Sequence, residues 1–246
     1  MNLFSRTELL IGRSGMEKLN RARVAVFGIG GVGGYAVEAL VRSGIGRLEL
    51  VDNDRVSPTN VNRQIIALSD TLGRYKTEAA AERARAINPE CEVTCRNCFF
   101  TSETAGTFDF SDYDYVIDAI DTLAGKIAIV KACREAGTPV VSCMGAGNKL
   151  DPTAFEVTDI YKTSVCPLAR AMRKLCRENG IEKLKVVYSK ELPVSAADSE
   201  RAAREEGAYK PRVPGSIAFV PSVAGLIAAG EAIKEISGVY GNGIGS

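Results

Sequence analysis

Four glycines within six residues, Gly28-Ile29-Gly30-Gly31-Val32-Gly33, constrain this chain more than any other feature. They follow Arg23-Val24-Ala25-Val26-Phe27, an apolar run that reads as a buried strand, and they precede a stretch over 35–43 with helical spacing. Glycines at such a strand-to-helix turn let the backbone approach a phosphate, and the helix N-terminus adds N–H donors and a positive dipole end. Beyond the turn, strands predicted over 48–51, 93–100, 115–118 and 140–142 alternate with helices over 76–87 and 124–136. That alternation predicts an α/β fold, a doubly wound Rossmann-like sheet, mostly parallel and covered on both faces. After Gly147 the rhythm changes to strands over 155–160 and 185–188 around a helix over 167–179, an antiparallel C-terminal extension. Residues 191–214 are expected to form a mobile crossover loop within a single domain spanning 1–246.

Chemistry is narrowed by what is missing. The 246 residues contain no histidine, which excludes a Ser-His-Asp triad, a Cys-His pair, a His-ligated metal and an imidazole base. With 31 Lys+Arg against 30 Asp+Glu, the chain has no dominant polyanion-binding charge, although a local basic patch can hide in a neutral total. The seven cysteines follow no secretory leader pattern, since residues 1–10 carry Arg6 and Glu8, so they are expected to be reduced thiols of a cytoplasmic protein. Residues 213–230 hold no charge over 18 positions, the length of a membrane span. Pro214, Gly215, Pro221 and Gly225 lie inside that stretch and favour a buried strand plus helix instead.

Asp52 ends the second strand, 19 residues after Gly33, where an acid would bond a ribose hydroxyl. Together with the glycines it indicates an adenine nucleotide without separating a dinucleotide from ATP. Arg63, in Asn60-Val61-Asn62-Arg63-Gln64, and Lys76, 13 residues later, favour ATP. Hydride transfer needs no such cations, whereas cleavage between α and β phosphates develops charge that fixed cations stabilise. Taken alone, Lys76 reads as a solvated residue opening an exposed helix. Asp118 and Asp121 follow at the carboxyl end of a strand, where a carboxylate suits Mg²⁺. Asp118 reads equally well as a turn or cap residue, and Asp121 is the expected metal ligand.

These residues, in this order and at this spacing, resemble the ThiF/HesA/MoeB superfamily, relatives of ubiquitin-activating enzymes. The carriers are the glycine run, Asp52-Asn53-Asp54, Asn60, Arg63-Gln64, Lys76 and Asp121. Arg6, within Arg6-Thr7-Glu8-Leu9-Leu10-Ile11-Gly12, is similar to an N-terminal arginine that reaches the neighbouring subunit's triphosphate. The resemblance implies an adenylating homodimer: a substrate carboxylate attacks the α-phosphate of ATP and pyrophosphate leaves. It assigns nucleotide contacts to Gly28, Gly30, Gly31, Gly33, Asp52, Asp54, Asn60, Arg63, Gln64 and Lys76. Catalytic roles fall to Arg6, Arg63, Lys76 and Asp121, the last holding Mg²⁺.

Gly145-Ala146-Gly147, Asp151-Pro152-Thr153, Val157-Thr158-Asp159-Ile160, Lys162-Thr163 and Pro167-Leu168-Ala169 resemble one branch, the tRNA threonylcarbamoyladenosine dehydratases. In that branch the activated carboxylate sits on a modified anticodon-loop adenosine, its own carbamoyl group attacks, and AMP leaves. A sulfur-transfer protein partners some relatives. Many members carry two Cys-x-x-Cys pairs for zinc; here Cys95-Arg96-Asn97-Cys98 stands alone, so structural thiols are expected rather than zinc. Residues 170–190 carry +5, leaving the remainder at −4, a placement open to an RNA backbone or to a solvated helix face. Cys166 departs from the branch. A reactive thiol there would imply the alternative, adenylation of the C-terminus of a small ubiquitin-like sulfur carrier.

Overall fold

Strand order decides where a ligand can sit. The computed structural model describes residues 3–194, 205 and 213–239. Among them, strands β1 (Arg23–Phe27), β2 (Arg47–Val51), β3 (Glu92–Arg96), β4 (Tyr115–Asp118), β5 (Val140–Cys143), β6 (Phe155–Asp159) and β7 (Lys185–Ser189) form one sheet in the order β3-β2-β1-β4-β5-β7-β6. Every neighbouring pair is parallel except β6 with β7, which is the expected antiparallel extension. The chain winds outward from β1 to β3, then returns to β4 on the other side of β1. The crevice between β1 and β4 at their carboxyl ends is therefore the switch point where open α/β sheets take ligands.

Helices α1 (Ser5–Arg21), α2 (Gly33–Arg42), α3 (Lys76–Ile87), α4 (Leu123–Ala136), α5 (Pro167–Glu178) and α6 (Phe219–Ser237) cover the sheet. The aliphatic layer includes Val24, Val26, Leu40, Leu48, Leu50 and Ile117, all essentially inaccessible. Each such side chain contributes about 1.5–3 kcal/mol of burial. The opposite face packs an aromatic cluster, with Phe27 4.8 Å from Phe100 and stacked on Phe110 at 5.7 Å. Alanine-rich α6 seats against α2: a Cβ at Gly225 would stand 2.1 Å from the Val32 carbonyl oxygen, so only glycine permits this approach. Pro221 of the same helix rests on Gly31, which ties the C-terminal helix to the glycine turn.

Three expectations change. The strand over 93–100 stops at Arg96, because the next residue turns its amide inward: Asn97 accepts from the Thr77 hydroxyl and donates to Glu78 at 3.1 Å. Among the described residues no strand lies between β7 and α6. Residues 213–217 are irregular and bond to the loops after β5 and β2 instead of to a sheet edge. Helix α1 was not anticipated; it consists of two helical segments joined at Gly12, whose φ of 71° breaks the periodicity. The expected crossover loop falls largely on 195–204 and 206–212, which lie outside the described residues. No helix of the described residues is long and apolar enough to cross a membrane.

Candidate active site

The glycine turn is shaped by contacts that a side chain would destroy. Gly28 has φ 86°, and a Cβ there would lie 2.8 Å from the carbonyl of Ala119 in the loop after β4. At Gly33 a Cβ would stand 1.8 Å from the Gly28 carbonyl oxygen, so the first turn of α2 closes directly onto the end of β1. Gly30, by contrast, faces space with Gln64 Nε2 3.9 Å from its Cβ position. The turn thus joins β1, the loop after β4 and the N-terminus of α2, and leaves the N–H groups of the helix start at the crevice.

Asp52, just beyond β2, locks the turn from the side. Its Oδ2 accepts from Ile29 N–H at 2.6 Å and its Oδ1 from Asp54 N–H at 2.8 Å. Burial pushes its carboxyl above the usual range, opposed by the Lys76 charge and by these two N–H donors. Each oxygen keeps a second lone pair that a ribose hydroxyl can use. Lys76 overturns the solvated reading. It is buried at the start of α3, with Nζ 2.6 Å from Asp54 Oδ2 and its own N–H on the Asp54 carbonyl.

Asn60 is a scaffold: its Oδ1 accepts from Ser57 N–H at 3.1 Å and closes the short turn 58–60. That turn presents Arg63, whose Nη1 donates to the Thr59 carbonyl and to Asn62 Oδ1, both at 2.8 Å. The Arg63 Cγ lies 3.5 Å from the Cβ position of Gly31. Gln64 is buried beside Gly30, and its Oε1 has no hydrogen-bond partner among the described residues. A buried amide oxygen left unmatched costs about 1–3 kcal/mol, and a bound ligand's donor would recover it.

The two aspartates after β4 separate sharply. Asp118 is fully buried with Lys126 Nζ 3.0 Å from both carboxylate oxygens, and its Oδ1 also accepts from Ile120 N–H at 3.3 Å, the local bond that the turn reading expects. Ser142 Oγ donates to Asp118 Oδ2 at 2.5 Å, and Lys126 also reaches the Cys143 carbonyl at 2.7 Å. Asp121 is exposed in the same loop. A single exposed carboxylate fits Mg²⁺, which binds through one or two carboxylates plus phosphates and water. Among the described residues no three metal-binding side chains gather into a protein cage. Arg6 is exposed on α1, two residues from Phe4, which packs at Gly44 beyond the far end of α2. Ten residues of helix, about 15 Å, separate that end from the glycine turn.

Sequence reasoning missed Lys126, Ser142 and Asn148. Lys126 leaves a signal, a lone cation inside the buried stripe of α4. Asn148, at φ 57°, accepts from Gly215 N–H at 2.6 Å, while Asn62 Nδ2 donates to the Ser216 carbonyl at 2.9 Å. Residues 213–217 are thereby clasped across the loops on both sides of the crevice. Cys95 Sγ lies 3.5 Å from the Thr77 carbonyl, and burial pushes the thiols of Cys91 and Cys143 up to about 11 and about 12. Cys166, at the N-cap of α5, is buried.

Known proteins share this fold. A Bacillus subtilis tRNA threonylcarbamoyladenosine dehydratase is 45% identical over 243 residues, covering 96% of this chain and 95% of that one. The Escherichia coli enzyme of the same description is 39% identical over 248 residues, covering 95% and 92%. The crystal structure of the E. coli dehydratase with AMP superposes with a TM-score of 0.87 at 37% identity, covering 98% of this chain and 96% of that one. The same enzyme with ATP gives 0.85 over the same coverage. Residues 4–244 match the ThiF family, and this chain belongs to it.

Proposed function

We propose that this protein is an ATP-dependent dehydratase that adenylates the carboxylate of threonylcarbamoyladenosine in tRNA and drives its cyclisation. The carrying observation is one crevice lined by the glycine turn, Asp52, Gln64, Arg63 and the buried Lys76, in a chain 45% identical to such an enzyme. The E. coli dehydratase has been captured with both AMP and ATP, which supports the same nucleotides here. Residues 1–246 act as one adenylating unit, in the cytoplasm and as a homodimer.

In this reading Gly28, Gly30, Gly31 and Gly33 admit the phosphates to the N–H groups opening α2. Asp52 accepts the ribose hydroxyls. Asp54 aims Lys76, and Asn60 holds the turn that carries Arg63 and Gln64; Lys76 and Arg63 neutralise charge developing on pyrophosphate. Asp121 would hold Mg²⁺, and the ion would supply further neutralisation of phosphate charge. Arg6 serves the second copy's triphosphate, consistent with its place beyond the far end of its own α2. The tRNA carboxylate attacks the α-phosphorus and pyrophosphate leaves. The neighbouring carbamoyl group then attacks the activated carbonyl carbon and AMP leaves, so the nucleoside loses one water. A carboxylate with a pKa near ~4 is already ionised at neutral pH, which explains how the reaction runs without histidine.

The test supplies ATP with either modified tRNA or a small ubiquitin-like carrier and measures AMP, pyrophosphate and the mass of the nucleoside. Release of AMP with dehydration of the tRNA is expected. AMP release with the carrier alone would overturn the assignment.

A further inference from the structure

Helix α5 has two faces of opposite character. Ala169, Met172 and Cys176 pack with Ile160, Ile181 and Leu184, so its apolar side is fully occupied by the core. On the other side Arg170, Lys174 and Arg177 are all exposed at positions i, i+4 and i+7. They form a row about 10 Å long. Arg173 stands apart from the row as a clasp, donating to the Thr163 carbonyl at 3.0 Å. Lys174 pairs loosely with Glu178 at 3.8 Å, and the Arg177 guanidinium lies 5.4 Å above the Tyr161 ring. The acids nearby, Glu178 and Glu182, sit at the far end of the helix.

The row starts where the chemistry is. Helix α5 opens at Pro167, and the preceding Cys166 Sγ lies 3.6 Å from the Cβ position of Gly145, just past the carboxyl end of β5. Its top therefore shares a sheet edge with the glycine turn, and the cations descend from there along the outer surface.

We propose that Arg170, Lys174 and Arg177 form the rail on which the sugar–phosphate backbone of the tRNA substrate docks. The proposal rests on the tRNA reading above. A membrane surface is disfavoured because an interfacial helix needs a free apolar face, and that of α5 is buried. Three exposed cations spaced along one helix match a polyanion, whose binding is dominated by phosphate neutralisation.

The test compares wild type with Arg170→Gln/Lys174→Gln/Arg177→Gln and with a control of equal charge loss elsewhere, Arg42→Gln/Arg74→Gln/Arg85→Gln. Folding is checked by thermal melting and ATP affinity, and tRNA affinity is measured at several salt concentrations. The rail variant should keep its ATP affinity, lose tRNA affinity by tens of fold near 0.15 M salt, and show a log–log salt slope shallower by about 2. At saturating tRNA its kcat should approach wild type. A Arg170→Lys/Arg177→Lys variant, which keeps the point charges, should retain most of the affinity and the slope. Unchanged tRNA affinity and slope in the rail variant, with wild type active on tRNA, would overturn the rail alone. An equal loss in the control would also overturn it, by showing that only net charge matters. Wild-type turnover with a carrier protein and no tRNA binding would overturn the tRNA reading itself.

Discussion

Replacing Lys126 by Met should destabilise the protein more than replacing Lys76 by Ala. Lys126 and Asp118 both have no exposed side-chain surface, so water cannot take over from either partner. The ammonium reaches both Asp118 oxygens at 3.0 Å, Ser142 Oγ at 3.3 Å and the Cys143 carbonyl at 2.7 Å. Methionine fills the volume of the stem yet leaves a carboxylate and a carbonyl buried without their donor. Breaking one partner of such a buried pair costs about 3–5 kcal/mol. For a chain of this size that is a fall in Tm of roughly 6–20 °C. Urea unfolding of wild type, Lys126→Met, Asp118→Leu and the double variant completes a thermodynamic cycle. The double variant should cost less than the sum of the singles, with a coupling energy of about 2 kcal/mol or more. Because the loop carrying Asp118 packs under Gly28, the single variants should also raise KM for ATP. Additivity within about 0.5 kcal/mol, or a single-variant cost below about 1 kcal/mol, would refute the account of a coupled buried pair.

Other perturbations separate binding from folding. Burial holds Asp52 above the ordinary carboxylate value, so the folded chain takes up its proton more readily than the unfolded one. Stability from this group is present below the unfolded pKa of about 3.9 and is lost as pH rises toward the raised folded value. ATP affinity runs the opposite way. The ribose needs the ionised form, so KM for ATP should climb on acidification earlier than an exposed aspartate would allow, and Asp52→Asn should remove that limb; a limb that survives the substitution points elsewhere. Lys76→Ala should lower the rate of pyrophosphate formation by about 10²–10³-fold, as loss of a fixed charge at a transition state does. Its stability cost should stay near 1 kcal/mol, since the Asp54 partner is 57% exposed and rehydrates; a large fall in Tm with kcat intact would reverse that assignment. Asn148→Ala loses the bond to Gly215 and strains the backbone at φ 57°, so KM for ATP should rise several-fold as the clasp over the crevice loosens. Limited proteolysis should then cut near 213–217 faster than in wild type.

Local chemistry made much of this fold readable. The helix over 76–87 ends where Asn88-Pro89 must end it, and β1, β2, β4 and β5 announce themselves as short apolar runs bounded by turns. Helix α1 escaped because Gly12 interrupts it and Leu9 and Leu10 are 85% and 83% exposed, leaving no clean stripe. The stretch at 213–217 escaped for another reason. Its hydrogen bonds go to Asn148 and Asn62, 67 and 154 residues away, partners that no window of local sequence contains. Asp118 and Asp121 stand three residues apart at one strand end, where the sequence favours metal at the second and leaves the first open. What divides them is the fold of α4 back over that end, which lays Lys126 on the first and leaves the second at the surface.

Lys76 and Lys126 show how one residue type serves two ends within the same site. Both lie in the first turn of a helix at the carboxyl edge of the sheet, both are buried, and both pair with an aspartate at or just beyond the end of a strand. The difference lies in the partner. Asp118 is sealed and shares the Lys126 ammonium with Ser142 and the Cys143 carbonyl, so that pair fixes the chain under Gly28 and has no charge to lend a ligand. Asp54 is more than half exposed and meets Lys76 through one oxygen, leaving two ammonium protons for phosphate oxygens. On the proposed function, a sealed pair holds the crevice in shape and a half-open pair beside it presents the charge. Phosphoryl transfer asks mainly for positioning and charge stabilisation, so a chain without histidine can supply both from lysine and aspartate alone, provided burial assigns each pair its task.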